Sequence, residues 1–252
     1  MSQPPVLVLI PSPLLGRSSW APVADELRAR GWEAVIATEL RDPVHRRPCW
    51  RRTVDGAAAN LDRVADDRGV ILVGHSGAGP LLPAIAGALR QRTAGYLFVD
   101  AGLPTRGASR LEAIEAEDPA FAAELRTALD AGRRFPTWTD DQLRELVPDA
   151  GRRAMLLAEL RPRGSDYWTE PQPIVSGWPN APCGYLHFSP PYRSPADIAR
   201  RSDWPLRHLP AGHFHLLVDP AAVASALLEL VAETGVGRSE PNTSPIEGGT
   251  AA

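Results

Sequence analysis

The sequence predicts an α/β fold in which one mostly parallel sheet is covered by helices on both faces, with a helical cap inserted between two strands. Short apolar runs alternate with longer helical patterns, as in parallel sheets with helical crossovers. The first four runs are uniformly apolar, which is typical of strands buried on both faces. The alternation stops between about Pro104 and Pro182, where the chain is helical and rich in Trp, Pro and charge, and strands then resume.

Each element follows from its local pattern. The apolar runs predict six strands: Val6–Ile10, Ala34–Thr38, Val70–Val73, Tyr96–Val99, Tyr185–Phe188 and Leu206–Leu209. Apolar residues at helical spacing predict helices over Trp20–Arg30, Arg51–Asp67 and Gly77–Arg92. Near the C-terminus, Asp219 suits an N-cap and Pro220 suits the first helical position, so a last helix is predicted from there.

These elements imply a division of the chain. Residues 1–104 and 182–235 are predicted to form one α/β core, and residues 105–181 to form the helical cap. Residues 236–252 are polar and rich in Gly and Pro, which predicts a disordered tail.

Composition excludes several classes of function. The net charge of -3 gives no reason to expect nucleic acid or a membrane surface as a partner. No apolar stretch approaches the ~18 residues of a membrane span, and the N-terminus lacks a signal-peptide pattern. Cys49 and Cys183 form no disulfide framework, so a cytoplasmic location is expected. All 27 basic residues are Arg, which excludes a catalytic lysine.

A serine stands at a sharp change of pattern. The segment Gly74-His75-Ser76-Gly77-Ala78 lies between a predicted strand and a predicted helix, the context of a nucleophile elbow. Such a turn presents the serine hydroxyl at an exposed tip and directs the next backbone N–H at a developing oxyanion. The alternative is an ordinary helix with Ser76 as its N-cap.

A serine nucleophile needs a base, and His213 is the best placed of six histidines. It follows a predicted strand, in the loop before the last helix; His215 is the second candidate. His75 is expected to point its side chain away from the serine. The pair His213-x-His215 lacks carboxylate or cysteine partners, so neither a metal site nor a cofactor is predicted.

The combination of these segments resembles the α/β-hydrolase fold family over nearly the whole chain. The opening "VLVLIPSPLLGRSSWAPVADELRARGWEAVIATELRD" is similar to that family's first strand, oxyanion loop and first helix. The segments "VGHSGAG", "LFVDAGLP", the helical insertion and "PAGHFHLLVDP" follow in the family's order of nucleophile, acid and histidine. The resemblance implies a serine hydrolase with Ser76 as nucleophile and His213 as base.

The third member of a triad is less clear. The family usually has its acid after the strand that follows the cap, but here "GYLHFSPPY" has Ser189 and prolines at that place. Asp100 ends the strand after the elbow helix, where some members of the family have their acid. Asp197 is the alternative, although "SPAD" is typical of a capping box. The absence of an acid is the third possibility.

The predicted oxyanion loop also departs from the family. A His-Gly pair normally follows the first strand, whereas this chain has Pro11-Ser12-Pro13-Leu14. Proline has no N–H to donate. The expected donors are therefore the N–H of Gly77 together with the N–H of Leu14 or the hydroxyl of Ser12.

These residues favour hydrolysis of an ester, thioester or lactone of a small, fairly apolar molecule. The expected substrate-binding residues are the cap aromatics Trp138, Tyr167 and Trp168; Phe135 and Trp178 are further aromatic residues of that region. A non-hydrolytic cyclase or lyase in a bacterial natural-product pathway is the main alternative. A binding protein that has lost the chemistry is the third.

An arginine cluster follows the second predicted strand. It consists of Arg41, Arg46, Arg47, Arg51 and Arg52. A solvated loop and helix start is the favoured interpretation. The functional alternative is a binding site for a substrate attached to coenzyme A or to an acidic carrier protein.

Overall fold

A computed structural model describes residues 3–39, 47–62, 64–105 and 107–236. Its centre is a sheet of six parallel strands in the order β2-β1-β3-β4-β5-β6. The strands are β1 (Val6–Ile10), β2 (Ala34–Ile36), β3 (Val70–His75), β4 (Thr93–Val99), β5 (Cys183–His187) and β6 (Leu206–His208). All six predicted strands are present, and the prediction of a mostly parallel sheet is confirmed.

The strand order determines where a site can form. Strand β1 pairs with β2 on one side and with β3 on the other, so the direction in which strands are added reverses at β1. Ligands of open α/β sheets bind outside the carboxyl ends of the strands at such a switch point. Ser12 lies just beyond β1 and Ser76 directly follows β3, so both lie at this edge.

Helices cover both faces of the sheet. One buried apolar cluster joins the sheet to α1 (Ala21–Ala29) and α11 (Pro220–Glu233). A second cluster on the other face includes residues of α2 (Trp50–Leu61), α3 (Leu82–Ala86) and α9 (Arg193–Arg201). Every residue of β1, β3 and β5 is buried, including the histidines that end β3 and β5.

Two predicted helices are shorter than expected. Helix α2 ends at Leu61 instead of Asp67, and the chain then turns so that Val64 packs into the core. After the elbow, residues Ser76–Leu81 form a 3-10 helix, and α3 ends at Ala86 instead of Arg92. Proline lacks the N–H that a regular helix uses, so Pro80 accounts for the irregular first turns.

The last helix begins as its sequence predicts. Pro220 is its first residue, and the Asp219 carboxylate accepts the N–H of Ala222 at 3.0 Å. Val236 then packs at the amino end of β4, beside Gly95. The rest of the predicted tail, residues 237–252, lies outside the described residues, as do Arg41 and Arg46 of the arginine cluster.

Five helices lie between β4 and β5, within the segment predicted to be the cap. They are α4 (Arg110–Glu117), α5 (Pro119–Asp130), α6 (Asp140–Leu143), α7 (Ala150–Ala158) and α8 (Ser165–Thr169). Their own apolar cluster includes Leu125, Tyr167 and Trp168. The segment contacts the loop after β1, because Arg163 donates to the carbonyl of Pro13 and the Arg161 N–H donates to that of Leu14.

None of the helices in the described part of the chain is long and apolar enough to cross a membrane. One short helix remains, α10 (His215–Val218), which lies between β6 and α11.

Candidate active site

The turn at Ser76 has the backbone of a strained elbow. Ser76 has φ of +57°, in the left-handed region that costs a non-glycine residue free energy. A Cβ on Gly79 would lie 2.2 Å from the carbonyl oxygen of Gly102, so only glycine fits there. Ser76 is only 9% exposed, so the expectation of an exposed tip is wrong: the site is covered rather than open.

Asp100 and His213 form the central contact of the site. Asp100 directly follows β4, and its Oδ2 lies 2.7 Å from Nδ1 of His213. The other carboxylate oxygen accepts the backbone N–H groups of Phe188 and Ser189, each at 2.9 Å. The Ser189 hydroxyl donates to Oδ2 at 2.5 Å. Four hydrogen bonds therefore hold the buried carboxylate in one orientation.

These bonds keep Asp100 ionised. Burial on its own raises the pKa of Asp100, but the hydrogen bonds from His213 and Ser189 outweigh it, and the net pKa lies below the ordinary 3.8. A carboxylate only accepts hydrogen bonds, so Nδ1 of His213 carries a proton. Nε2 is then available to accept a proton from another group.

Two aromatic rings enclose the His213 imidazole. His75 stacks on it with centroids 4.5 Å apart, and Tyr192 stacks on it with centroids 4.9 Å apart and planes 11° from parallel. His75 Nε2 also lies 3.1 Å from the His213 carbonyl. Burial, and after it His213, lower the pKa of His75 to about 3. The sequence predicts that His75 points away from the serine; that its neutral ring packs on the candidate base was not predicted.

The hydroxyl of Ser76 is hydrogen-bonded to Tyr192 instead of to His213. The two oxygens lie 2.9 Å apart, and in the described part of the chain Ser76 Oγ has no other hydrogen bond. Burial raises the pKa of Tyr192, so its phenol is neutral. Tyr192 is not among the predicted site residues, although it ends the segment "GYLHFSPPY", where the family usually has its acid nearby.

The predicted oxyanion residues lie together. Leu14 N–H is 3.4 Å from Ser12 Oγ, a long hydrogen bond. A Cβ placed on Gly77 would lie 3.7 Å from both Ser12 Oγ and Pro13 Cδ. The loop after β1 thus borders the residue that follows the candidate nucleophile.

Two aromatic residues of the predicted cap border the site, and two others do not. Tyr167 Oη lies 3.6 Å from the position of a Gly77 Cβ, and Trp138 packs edge-on against Phe214, beside His213. Trp168 is buried behind Tyr167, with ring centroids 5.1 Å apart. Trp178 belongs to the opposite face of the sheet, where it packs on Tyr96, Phe98 and Trp204 and takes no part in the site.

The alternative candidates lie outside this arrangement. Asp197 is a surface residue whose carboxylate pairs with Arg200, and α9 begins before it at Arg193. The expected capping box at Asp197 is therefore absent, because Ser194 already lies within the helix. His215 begins α10 and packs edge-on against Phe188.

Metal ligands are not grouped in the described ranges. In residues 3–39, 47–62, 64–105 and 107–236, no three His, Cys, Asp or Glu side chains are placed to hold a metal ion. The chemistry that these side chains support is nucleophilic attack with proton transfer. A hydroxyl, an oriented imidazole and a fixed carboxylate lie at one edge of the sheet.

Solved structures share this fold. An extracellular alpha/beta-hydrolase from a Paenibacillus species, described as sharing structural and functional homology with tobacco salicylic acid binding protein 2, has a TM-score of 0.71 at 18% identity. The alignment covers 94% of this chain and 100% of that one. A pyrethroid hydrolase from Sphingobium faniae JZ-2 has a TM-score of 0.66 at 18% identity, with 91% and 98% covered.

Tomato methylketone synthase I in complex with 2-tridecanone has a TM-score of 0.66 at 13% identity, with 92% and 99% of the chains covered. At these identities the likeness establishes the fold alone. No curated protein matches the chain in sequence. The model of the family described as "Alpha/beta hydrolase family" matches residues 7–226, most of the chain. The chain therefore belongs to the alpha/beta hydrolase family of enzymes.

Proposed function

We propose that this protein is a serine hydrolase that cleaves an ester, thioester or lactone of a small, fairly apolar molecule. Ser76 is the nucleophile, His213 the general base and Asp100 the residue that orients His213. The observation that carries the proposal is the 2.7 Å contact between Asp100 and His213 at the sheet edge that also presents Ser76.

The reaction follows from the orientation of the imidazole. Ser76 Oγ bonds to the substrate carbonyl carbon while its proton passes to His213 Nε2, and the carbonyl oxygen becomes an oxyanion. The oxyanion collapses, the bond to the leaving group breaks, and Nε2 returns the proton to that group. Water then attacks the acyl-enzyme with the same base, and the proton passes to Ser76 Oγ.

Ser76 must release Tyr192 before it reacts. In the proposed reaction its hydroxyl exchanges the 2.9 Å contact with Tyr192 for a hydrogen bond to His213 Nε2. Catalytic hydrogen bonds are often long or poorly aligned without substrate and tighten in the complex with it. The oxyanion is assigned to the N–H of Gly77 with Leu14 N–H or the Ser12 hydroxyl.

In this proposal, aromatic residues of the cap determine which class of substrate binds. Trp138 and Tyr167 border the site with aromatic surface, which favours an apolar acyl or alcohol group. Both a pyrethroid hydrolase and polyneuridine aldehyde esterase share the fold, which is in keeping with an ester substrate. A substrate attached to coenzyme A or to a carrier protein is a narrower version of the same proposal. It depends on the arginine cluster, of which Arg47 and Arg51 are exposed.

A second candidate, a non-hydrolytic cyclase or lyase, is favoured by a different observation. The Ser76 hydroxyl is engaged by Tyr192, and two prolines replace donors in the loop after β1. Tomato methylketone synthase I, named as a synthase and not as a hydrolase, shares the fold, which is in keeping with this second candidate.

Labelling with a fluorophosphonate distinguishes the serine hydrolase from the non-hydrolytic cyclase or lyase. The probe phosphonylates an activated serine, with loss of fluoride, and intact mass reports one adduct. We expect one equivalent on the wild type and on Ser225→Ala, a surface serine control within α11, and none on Ser76→Ala. A folded wild type that takes no label rejects the hydrolase and favours the second candidate.

A further inference from the structure

The hydroxyl of Tyr167 lacks a protein partner although it lies inside the site. Helix α8 of the cap places Tyr167 Oη 3.6 Å from the position of a Cβ on Gly77. The side chain is 3% exposed, and no hydrogen bond among the described residues uses its hydroxyl. A hydroxyl that borders the site and is used by no described protein group is available to donate to a ligand oxygen.

The neighbourhood of this hydroxyl is short of donors. Pro11 and Pro13 have no N–H, and the N–H of Leu14 is directed at Ser12 Oγ. Ser12 Oγ and Tyr167 Oη approach Gly77 from the core and from the cap, at 3.7 and 3.6 Å from the same Cβ position. The phenol therefore stands where a further oxyanion donor is needed.

Two arginines, paired with Glu170 and Glu39, pack against the ring of this phenol. Arg110 Cζ lies 4.1 Å from the ring centroid of Tyr167 and Arg163 Cζ lies 5.5 Å from it. Arg163 is held by the Pro13 carbonyl at 2.9 Å, and Arg110 by the Glu170 carboxylate at 3.5 Å. Positive charge against the ring polarises the O–H bond and favours negative charge beside the hydroxyl. Burial raises the pKa of Tyr167 more than the arginines lower it, so the proton stays on the oxygen.

We propose that Tyr167 is a catalytic residue, a third donor of the oxyanion hole that is supplied by the cap. The proposal rests on the serine-hydrolase function proposed above. When Ser76 Oγ bonds to the carbonyl carbon and its proton moves to His213, the electron pair of the C=O bond moves to oxygen. Tyr167 donates a hydrogen bond to that oxygen and keeps its own proton.

Tyr167→Phe removes the donor and keeps the ring, and Tyr96→Phe is the matched control. Tyr96 loses a buried phenol that donates to Asn180 at 2.7 Å, and it takes no part in the site. With a p-nitrophenyl ester we expect Tyr167→Phe to lower kcat by about 10²-fold with KM almost unchanged, since the bond forms only in the transition state. Tyr96→Phe should retain the wild-type kcat.

A trifluoromethyl ketone gives a second readout. Ser76 adds to this inhibitor and forms a hemiketal whose oxyanion occupies the hole, so its Ki should rise in Tyr167→Phe by a factor similar to the fall in kcat. A rise in KM alone, or a kcat within twofold of wild type, overturns the proposal. If the wild type is labelled by the fluorophosphonate, that result leaves the serine-hydrolase function intact; if it is not labelled, both fail.

Should Tyr167→Phe fail to fold, 3-fluorotyrosine at position 167 tests the same claim with the hydroxyl present. The fluorine lowers the phenol pKa, and a phenolate cannot donate. The alkaline limb of the kcat profile should then move to lower pH. An unchanged alkaline limb overturns the proposal.

Discussion

The phenol of Tyr192 bonds to the hydroxyl of Ser76 at 2.9 Å while its ring lies flat on the imidazole of His213. A single side chain thus contacts both groups that would exchange a proton in the proposed reaction. Because burial raises the pKa of Tyr192, the phenol donates or shares a proton and does not act as a base.

We expect Tyr192→Phe to slow deacylation more than acylation. In deacylation Ser76 Oγ is the leaving atom and develops negative charge, which a donated hydrogen bond stabilises by ~1.5–3 kcal/mol, about 10- to 100-fold in rate. The phenyl ring preserves the stacking on His213. Stopped-flow mixing with a p-nitrophenyl ester should show a burst of one equivalent followed by a slow steady state.

A fluorophosphonate reports the first half of the reaction only, so its rate of labelling should stay near that of the wild type in Tyr192→Phe. If labelling slows as much as turnover and no burst appears, Tyr192 acts on His213 or on the fold instead.

The identity of the acid is tested by Asp100→Asn against Asp197→Asn. Asparagine cannot hold the proton of His213 on Nδ1 as a carboxylate does, so kcat should fall by ~10³–10⁴-fold. Asp197 contributes only an exposed ion pair with Arg200, worth ~0–1 kcal/mol, and its variant should keep full activity.

In Asp100→Asn the amide oxygen can still accept the N–H groups of Phe188 and Ser189, but the amide nitrogen takes the place of Oδ2 and cannot accept from His213 or from the Ser189 hydroxyl. Circular dichroism and the melting temperature must therefore show that the variant is folded. Near-normal turnover in folded Asp100→Asn would indicate a Ser–His pair or chemistry without an acyl-enzyme.

Much of the fold is predictable because burial on both faces leaves a simple pattern. Strand β1, residues 70–73 of β3 and residues 96–99 of β4 are apolar and buried, and the Asp219-Pro220 start of α11 is a local signal independent of tertiary contacts. The helix after the elbow is less predictable, since its apolar residues suit either a regular helix or the 3-10 turn that Pro80 allows.

Some features of the site are predictable from the sequence, and others are not. That Asp100 meets the segment after β5 follows from the pairing of β4 with β5, because adjacent parallel strands end at one edge. The orientations of His75 and Tyr192 depend on tertiary packing around His213. No periodic pattern in the sequence predicts that packing. The Ser76 hydroxyl is covered by Tyr192, whose position after β5 no local pattern specifies.

Stability should depend on pH through His75. Its folded pKa of about 3 lies below the ordinary 6.5, so the unfolded state binds the proton first as pH falls. The free energy of unfolding should therefore decrease from pH 6.5 towards pH 3, by up to ~1.4 kcal/mol per unit for this group. The lowered pKa of Asp100 adds a loss that begins at lower pH, near its ordinary 3.8.

His75→Phe isolates the histidine contribution. The variant keeps an aromatic ring against His213 and cannot titrate. Urea unfolding at pH 7 and pH 5 should show a smaller difference between the two pH values in His75→Phe than in the wild type. Equal differences in both proteins would mean that His75 does not hold a depressed pKa.

The contact between the cap and the loop after β1 gives a last prediction, made with Arg163→Gln and Arg161→Gln. Arg163 donates to the Pro13 carbonyl through Nε at 3.3 Å and Nη2 at 2.9 Å. The Arg161 side chain pairs with Glu39 at 3.1 Å, whereas the bond to the Leu14 carbonyl comes from its backbone N–H and survives mutation. Both variants remove one guanidinium from the buried Glu39, so any general effect of that loss is common to both.

Only Arg163→Gln frees the Pro13 carbonyl in the loop that borders Gly77, and it also removes a guanidinium from the ring of Tyr167, a proposed donor to the same oxyanion. We expect its kcat to fall at least ~10-fold with little change in KM, because the loop is proposed to act on the oxyanion and not on the bound substrate. Arg161→Gln should stay within about threefold of wild type. Equal losses in the two variants would show that neutralisation of Glu39, rather than the hold on the Pro13 carbonyl, sets the rate.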